Sequence, residues 1–196
     1  MPVGTAEPKQ YVLLHKPAGY VTSRHDPEGR AVVTDLVTTA VRLYPVGRLD
    51  VDVEGALLLT NDGVLTHRLL HPRYQVPRVY EADVKGVVTP DALRRWRAGV
   101  QLEDGPAAPL DVAILRARPG QSRLRLTFTE GRKHEVKRYC ETLGHPVTRL
   151  RRIAFGPIML GTLPRGAHRA LTRKEITALR AAVQHADRRR QDSANR

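Results

Sequence analysis

The strongest constraint on the fold is a short apolar run, Ala56-Leu57-Leu58-Leu59, bounded by acids on one side and a turn on the other. Four residues are too few for a helix, and Asn61-Asp62-Gly63 is turn chemistry, so the run predicts a buried strand. Upstream, Arg48 precedes three carboxylates at alternate positions, Asp50, Asp52 and Glu54. A loop dense in acid therefore feeds directly into the sheet. By default such carboxylates are solvated loop charges.

Two later segments set the period of the chain. Arg123–Thr129 alternates, with Leu124, Leu126 and Phe128 on one side and Arg123, Arg125 and Thr127 on the other, which predicts a strand with one core face and one basic face. Gly131–Leu143 then switches to helical spacing. Val136, Cys140 and Leu143 form its apolar stripe, Arg132, Lys133, Lys137 and Arg138 crowd the remainder, and Gly144 ends it. Further strands are predicted over Tyr11–His15, Tyr20–Thr22, Arg78–Val84, Leu110–Leu115 and Arg149–Pro157. Helices are predicted over Val64–Leu70, from Thr89 as N-cap with Pro90 behind it, and from the capping box Thr172-Arg173-Lys174-Glu175. Val32–Val41 fits either a short helix or an irregular connection. Strands and helices outside strict alternation predict an α+β fold with a mixed, largely antiparallel central sheet and flanking helices. Residues 1–8 read as a disordered tail, 9–182 as one domain, and 183–196 as the end of the last helix and a basic tail that frays.

Charge narrows the function. Thirty-three Lys and Arg against 20 Asp and Glu leave +13, an excess that favours a polyanionic partner, most often nucleic acid. Arginine dominates it, and its planar fork suits phosphate. No apolar stretch approaches the ~18 residues of a membrane helix, and Met1–Gln10 lacks the pattern of a signal peptide, so the expected setting is cytoplasmic, away from membranes. The single cysteine, Cys140, gives neither a disulfide nor a metal-ligand spacing. His67 and His71 stand at a zinc-compatible spacing, but Arg68 occupies the position where a zincin carries glutamate, and no third ligand is evident. No glycine loop that cradles phosphates occurs. Neither metal nor cofactor is expected.

Residues Val46–Gly63 resemble the signature of the RNA pseudouridine synthases of the ribosomal small-subunit pseudouridine synthase A family, which also includes the large-subunit synthases B, E and F. Further blocks occur in the family's order: Leu14-His15-Lys16-Pro17-Ala18-Gly19, His71-Pro72-Arg73-Tyr74 with Arg78-Val79-Tyr80, Glu130 to Arg138, and Leu150 to Pro157. Together they span about residues 9–182, which the resemblance makes the catalytic domain. The resemblance implies cofactor-free isomerisation of a flipped uridine in ribosomal RNA to its C5-glycoside. Asp50 is then the nucleophile, attacking ribose C1′ or base C6; Tyr80 stacks on the base and assists proton transfer at C5; and Lys137 pairs with Asp50. Arg48 holds phosphate or locks the flipped nucleotide, and Leu150 lines the pocket. Asp52 and Glu54 fall to loop structure. Phosphate contacts are expected from Arg123, Arg125, Arg132, Lys133, Arg138, Arg149, Arg151 and Arg152. The sequence departs from the family pattern at Val53 (usually serine or threonine), Glu135 (glutamine), Arg78 (lysine) and His15 (asparagine). Only eight residues precede Lys9, an arrangement similar to that of pseudouridine synthase E, which acts on the large ribosomal subunit and lacks a small domain like that of ribosomal protein S4. A monomer acting on 23S in preference to 16S ribosomal RNA is therefore expected. The alternative is a non-catalytic RNA-binding or ribosome-assembly factor using the same cleft. A two-carboxylate glycosidase does not explain the charge.

Overall fold

The structure is a computed structural model that describes residues 7–194, with side chains through residue 184. Most of the expected amino-terminal tail and the side chains of the basic carboxyl end lie outside the described residues. In chain order the elements are β1 (Tyr11–Lys16), β2 (Tyr44–Pro45), β3 (Glu54–Thr60), α1 (Gly63–Leu70), β4 (Arg78–Lys85), α2 (Leu93–Ala98), β5 (Val100–Leu102), β6 (Gly105–Ala107), β7 (Asp111–Arg118), β8 (Gln121–Phe128), α3 (Glu135–Thr142), β9 (Val147–Phe155), β10 (Ile158–Met159), β11 (His168–Ala170) and α4 (Arg173–Ala194). The main sheet runs β11-β1-β3-β9-β4-β8-β7, with β2 added to β3 and β10 to β9, while β5 and β6 form a separate hairpin. β3 and β9 pair in parallel and the other ladders are antiparallel. This is the α+β architecture expected from the sequence.

β1 and β3 are buried along their whole length because their alternate side chains feed two cores. Val12, Leu14, Leu57 and Leu59 join the core that holds Trp96 of α2 and Val136, Tyr139 and Cys140 of α3. Tyr11, Leu13, Ala56 and Leu58 join the other, closed by Leu65 and Leu69 of α1 and Leu179 and Val183 of α4. The apolar run that dominates the sequence is thus the centre of a sheet covered on both faces. Where β3 meets β9, Gly55 adopts φ +121°, and a Cβ there would stand 2.1 Å from the Arg152 carbonyl oxygen. Only glycine admits this approach.

Several boundaries differ from expectation. Tyr20–Thr22 makes a single bridge, Val21 to Val32, because Thr22 is drawn to the loop before β3, where its hydroxyl donates to the Leu49 carbonyl at 2.6 Å. Within Val32–Val41 one 3₁₀ turn forms, Val33–Leu36. Thr89 caps the turn that precedes α2, which begins at Leu93. α3 starts at Glu135, since His134 holds the left-handed φ of 52° and interrupts the helix expected from Gly131. α4 continues to Ala194 past its apolar stripe, where arginine, glutamine and alanine still favour helix. The short strands β5, β6, β10 and β11 carry too little periodicity to predict. Among the described residues no helix is long and apolar enough to cross a membrane.

Candidate active site

The loop between β2 and β3 is fastened from below. The Lys16 side chain is fully buried, and its Nζ donates to the carbonyls of Val53 (2.8 Å), Asp50 (3.0 Å), Pro17 (3.1 Å) and Val51 (3.3 Å), so three N–H groups are shared among four acceptors. Burial pushes the Lys16 amine down to about 8. The Gly19 amide adds a bond to the Val51 carbonyl at 2.7 Å. Leu49 and Val53 anchor the loop in the core that includes Tyr80 and Leu150. The departure at Val53 is accordingly an apolar anchor, 2% exposed.

The clamp presents Asp50 to the amino-terminal end of α3. His134 Nε2 lies 3.4 Å from its Oδ1 and Lys137 Nζ 3.6 Å from its Oδ2, with the Asp50 side chain 32% exposed. The expected cation is in reach, yet its shorter contacts go elsewhere: Lys137 donates to both Asp52 oxygens, at 2.7 and 2.8 Å. That hydrogen-bonded ammonium holds the Asp52 carboxyl below the usual carboxylate range. Asp52, assigned to loop structure from sequence, is therefore Lys137's principal partner. Sequence reasoning also missed His134 and the anchoring of Lys16. The spacing of His134 and Lys137, three residues apart at a helix start and so on one face, was the available signal for the first.

Tyr80 and Leu150, the other expected site residues, lie in the core on the α3 side of the sheet. Tyr80 stands opposite Arg152 on β9, and Leu150 opposite Ala82 on β4, so both face the side covered by α3. They are 9% and 6% exposed and share a core with Leu49 and Val53, which bracket Asp50. Two carboxylates, Asp50 and Asp52, thus meet the Lys137 ammonium and the His134 imidazole on a loop that Lys16, Leu49 and Val53 hold in place.

Residues 10–142 match the family described as RNA pseudouridylate synthase. The chain belongs to this family. It is 47% identical over 177 residues to an RNA pseudouridine synthase of Aquifex aeolicus (strain VF5), covering 89% of this chain and 71% of that protein. It is 40% identical over 178 residues to ribosomal large subunit pseudouridine synthase B of Bacillus subtilis (strain 168), covering 89% of this chain and 73% of that one. A crystal structure of a pseudouridylate synthase superposes with a TM-score of 0.80 at 33% identity, covering 88% of this chain and 74% of that one. Enzymes of the family are isomerases, and the observed sheet is the pseudouridine synthase fold.

The remaining basic residues expected to serve this synthase separate into distinct groups. Arg48 is exposed and makes no ion pair among the described residues, and Lys133 is likewise exposed. Arg138 instead forks onto Asp104 at 2.9 and 2.8 Å, and Arg132 bonds Glu130 at 2.6 Å and the carbonyls of Gly105 and Pro106. These two arginines tie the β5–β6 hairpin to α3. Arg152, expected to touch phosphate, is 2% exposed and donates to the Ala56 carbonyl at 2.8 Å, so it cannot meet RNA. Arg78 is also buried, donating to the Thr129 carbonyl at 2.8 Å. Glu135, in the family's glutamine position, is buried 3.7 Å from Arg132, and burial raises its carboxyl above the ordinary range. Glu54 is buried beneath Arg149 (2.8 Å) and Arg165 (2.9 Å), away from Asp50's partners. The His67 and His71 rings meet edge to face at 5.6 Å, and among the described residues no three ligands gather around a metal position.

Proposed function

We propose that this synthase isomerises one uridine of large-subunit ribosomal RNA to pseudouridine, with Asp50 as the nucleophile. It works as a cytoplasmic monomer with neither metal nor cofactor. The observation that carries the reading is the setting of Asp50: a partly exposed carboxylate on a clamped loop, facing the Lys137 ammonium and the His134 imidazole, in a protein whose net charge attracts phosphate. A carboxylate there weakens attraction for a polyanion, a cost that a role in the chemistry would justify. The Bacillus relative's name supports the large-subunit substrate. That relative is of the B type by its name.

The target base leaves its stack, at a cost of a few kcal/mol that phosphate contacts offset. Tyr80 stacks on the flipped base, Leu150 packs beside it, and Arg48 and Lys133 hold the backbone. Attack by Asp50 at C1′ breaks the N1–C1′ bond; the base turns, C5 bonds to C1′, and Asp50 leaves. Attack at C6 gives a base adduct with the same outcome. Either way one C–N bond is exchanged for one C–C bond and a proton moves from C5 to N1, so no redox partner is needed. The Tyr80 hydroxyl is the group we assign to the proton at C5. Lys137 and His134, 3.6 and 3.4 Å from the Asp50 oxygens, hold that carboxylate oriented between turnovers.

Release of tritium from rRNA labelled with [5-³H]uridine tests this directly. Wild type is expected to release it and Asp50→Asn to lose release by several orders of magnitude while still binding RNA. Equal release by both would remove Asp50 from the chemistry. Absence of release by wild type on any ribosomal RNA would establish the non-catalytic RNA-binding reading instead.

A further inference from the structure

Alternation along Tyr80–Asp83 of β4, along β8 and along Arg149–Arg151 of β9, between two irregularities of the β4–β9 ladder, sends Tyr80, Ala82, Leu124, Leu126 and Leu150 toward α3 and the residues between them to the opposite side. On that opposite side the cover provided by α1 and α4 is spent on β1 and β3, and the core they close contains no residue of β4, β7 or β8. What stands there is ordered charge. Glu81 and Asp83 of β4 form a central acidic row, flanked by Arg123 and Arg125 of β8 and by Arg149 and Arg151 of β9. Arg116 lies opposite Arg123 and Arg118 opposite Gln121 on β7. Arg165 and Glu54 complete the row at the β3 end.

The acids lie underneath and the arginines on top. Asp83, Glu81 and Glu54 side chains are 11, 18 and 6% exposed, against 45, 46, 50, 38 and 57% for Arg123, Arg125, Arg149, Arg151 and Arg165. Arg123 bonds Asp83 through Nε and Nη2 at 2.6 and 2.9 Å, and Arg151 bonds Glu81 at 2.8 Å. Each guanidinium has five N–H donors, so the remainder face solvent in fixed orientations, at less entropic cost than free side chains would carry. Seven arginines and Lys85 against Glu54, Glu81, Asp83 and Asp111 leave an excess of four positive charges, around a recess of ≈80 Å³ bounded by Glu81, Asp83, Arg123, Arg149 and Arg151.

We propose that this outer face is a second docking surface, for the phosphate backbone of double-helical ribosomal RNA, on the side of the sheet opposite the isomerisation site. The occupant follows from chemistry. A protein partner is met by apolar cores depleted in charge, which this face lacks. Single strands are held by stacking on aromatic rings, and no outward residue of these strands is aromatic. A duplex offers rows of phosphate read by shape, which arrayed arginines match without sequence choice. The proposal rests on the reading that ribosomal RNA is the substrate, and it assigns Arg123, Arg125, Arg149 and Arg151 to a contact remote from the flipped base.

The test compares wild type with Arg116→Gln/Arg118→Gln/Arg125→Gln by fluorescence anisotropy on a uridine-free RNA duplex of about 16 base pairs, across a salt series. The substitutions leave Asp83 its Arg123 and Glu81 its Arg151, so neither acid is orphaned. The salt slope is expected to fall by about one per lost contact and the affinity by roughly 10- to 100-fold. Lysines at the same three positions should restore the slope. An unchanged slope and affinity in the glutamine variant would overturn the proposal. So would a loss confined to kcat at saturating rRNA, since that places the effect on the chemistry. Array-dependent duplex binding by a wild type that releases no tritium would sink the enzymatic reading alone. Tritium release with array-independent binding would sink the docking surface alone.

Discussion

Replacing Lys16 by methionine removes one cation and keeps most of the volume of its stem. The Val53 carbonyl, 2.8 Å from Nζ and buried, loses its donor and costs about 1–3 kcal/mol unsatisfied. The carbonyls of Asp50, Val51 and Pro17 are only part-buried, so water replaces the amine there at smaller cost. Lys16→Met should therefore lose about 2–4 kcal/mol at neutral pH, measured by urea unfolding. The deficit also depends on pH in a direction that can be worked out. Burial brings the folded-state pKa down from 10.5 to about 8, so between those values the unfolded chain binds the additional proton. Wild type then gains stability as pH rises through this window, by at most about 3 kcal/mol at about 1.4 per unit, whereas methionine gains nothing. The gap between the two proteins should widen from pH 8 to pH 10.5. With the Asp50 loop loosened, kcat should fall about 10²-fold through misplacement of the Asp50 carboxylate, the nucleophile we propose. Equal stability of variant and wild type across that window, with kcat retained, would refute the assignment of Lys16 as the clamp.

Other substitutions probe the site and its frame. Lys137→Met should lower kcat about 10²-fold with RNA affinity little changed, while Asp52→Asn, which frees Lys137 to swing to Asp50, should change kcat by less than about threefold; a larger loss in Asp52→Asn would make Asp52 the essential partner. His134→Gly relieves a left-handed backbone that costs a non-glycine residue about 1 kcal/mol, so it should hold or raise the unfolding midpoint while turnover falls about 10-fold. Turnover unchanged by that variant would leave His134 without a part in orienting Asp50. Gly55→Ala should cost more than about 4 kcal/mol, visible as insoluble expression, because its Cβ meets the Arg152 carbonyl and amide at 2.1 and 2.7 Å and the parallel pairing cannot close.

The legible parts of this protein were those written within a few residues of one another. The alternation of Arg123–Thr129, the apolar run at Ala56–Leu59 and the capping box at Thr172 each carry their own period or hydrogen-bond logic, and each forms where predicted, with Thr172 and Glu175 exchanging bonds of 2.8 and 3.2 Å. The helix expected from Gly131 began late because one backbone angle at His134 outweighed a good helical pattern. The isolated bridge at Val21 arose because a distant carbonyl, that of Leu49, outcompeted a ladder for Thr22.

At the candidate site the division is sharper. By itself the sequence determined that Asp50, Tyr80, Lys137 and Leu150 belong to family blocks, and that a strongly basic chain carries an acidic loop into its central strand. Only the tertiary structure decided that Lys137 bonds Asp52 more closely than Asp50, that His134 stands beside Asp50, that Arg132, Arg138 and Arg152 are engaged within the protein, and that Arg123, Arg125, Arg149 and Arg151 lie on the opposite side of the sheet. The physical reason is range: side-chain period is set by neighbours along the chain, whereas the partner of a charge 85 residues away depends on how loop, sheet and helix are brought together and on which groups that packing removes from water.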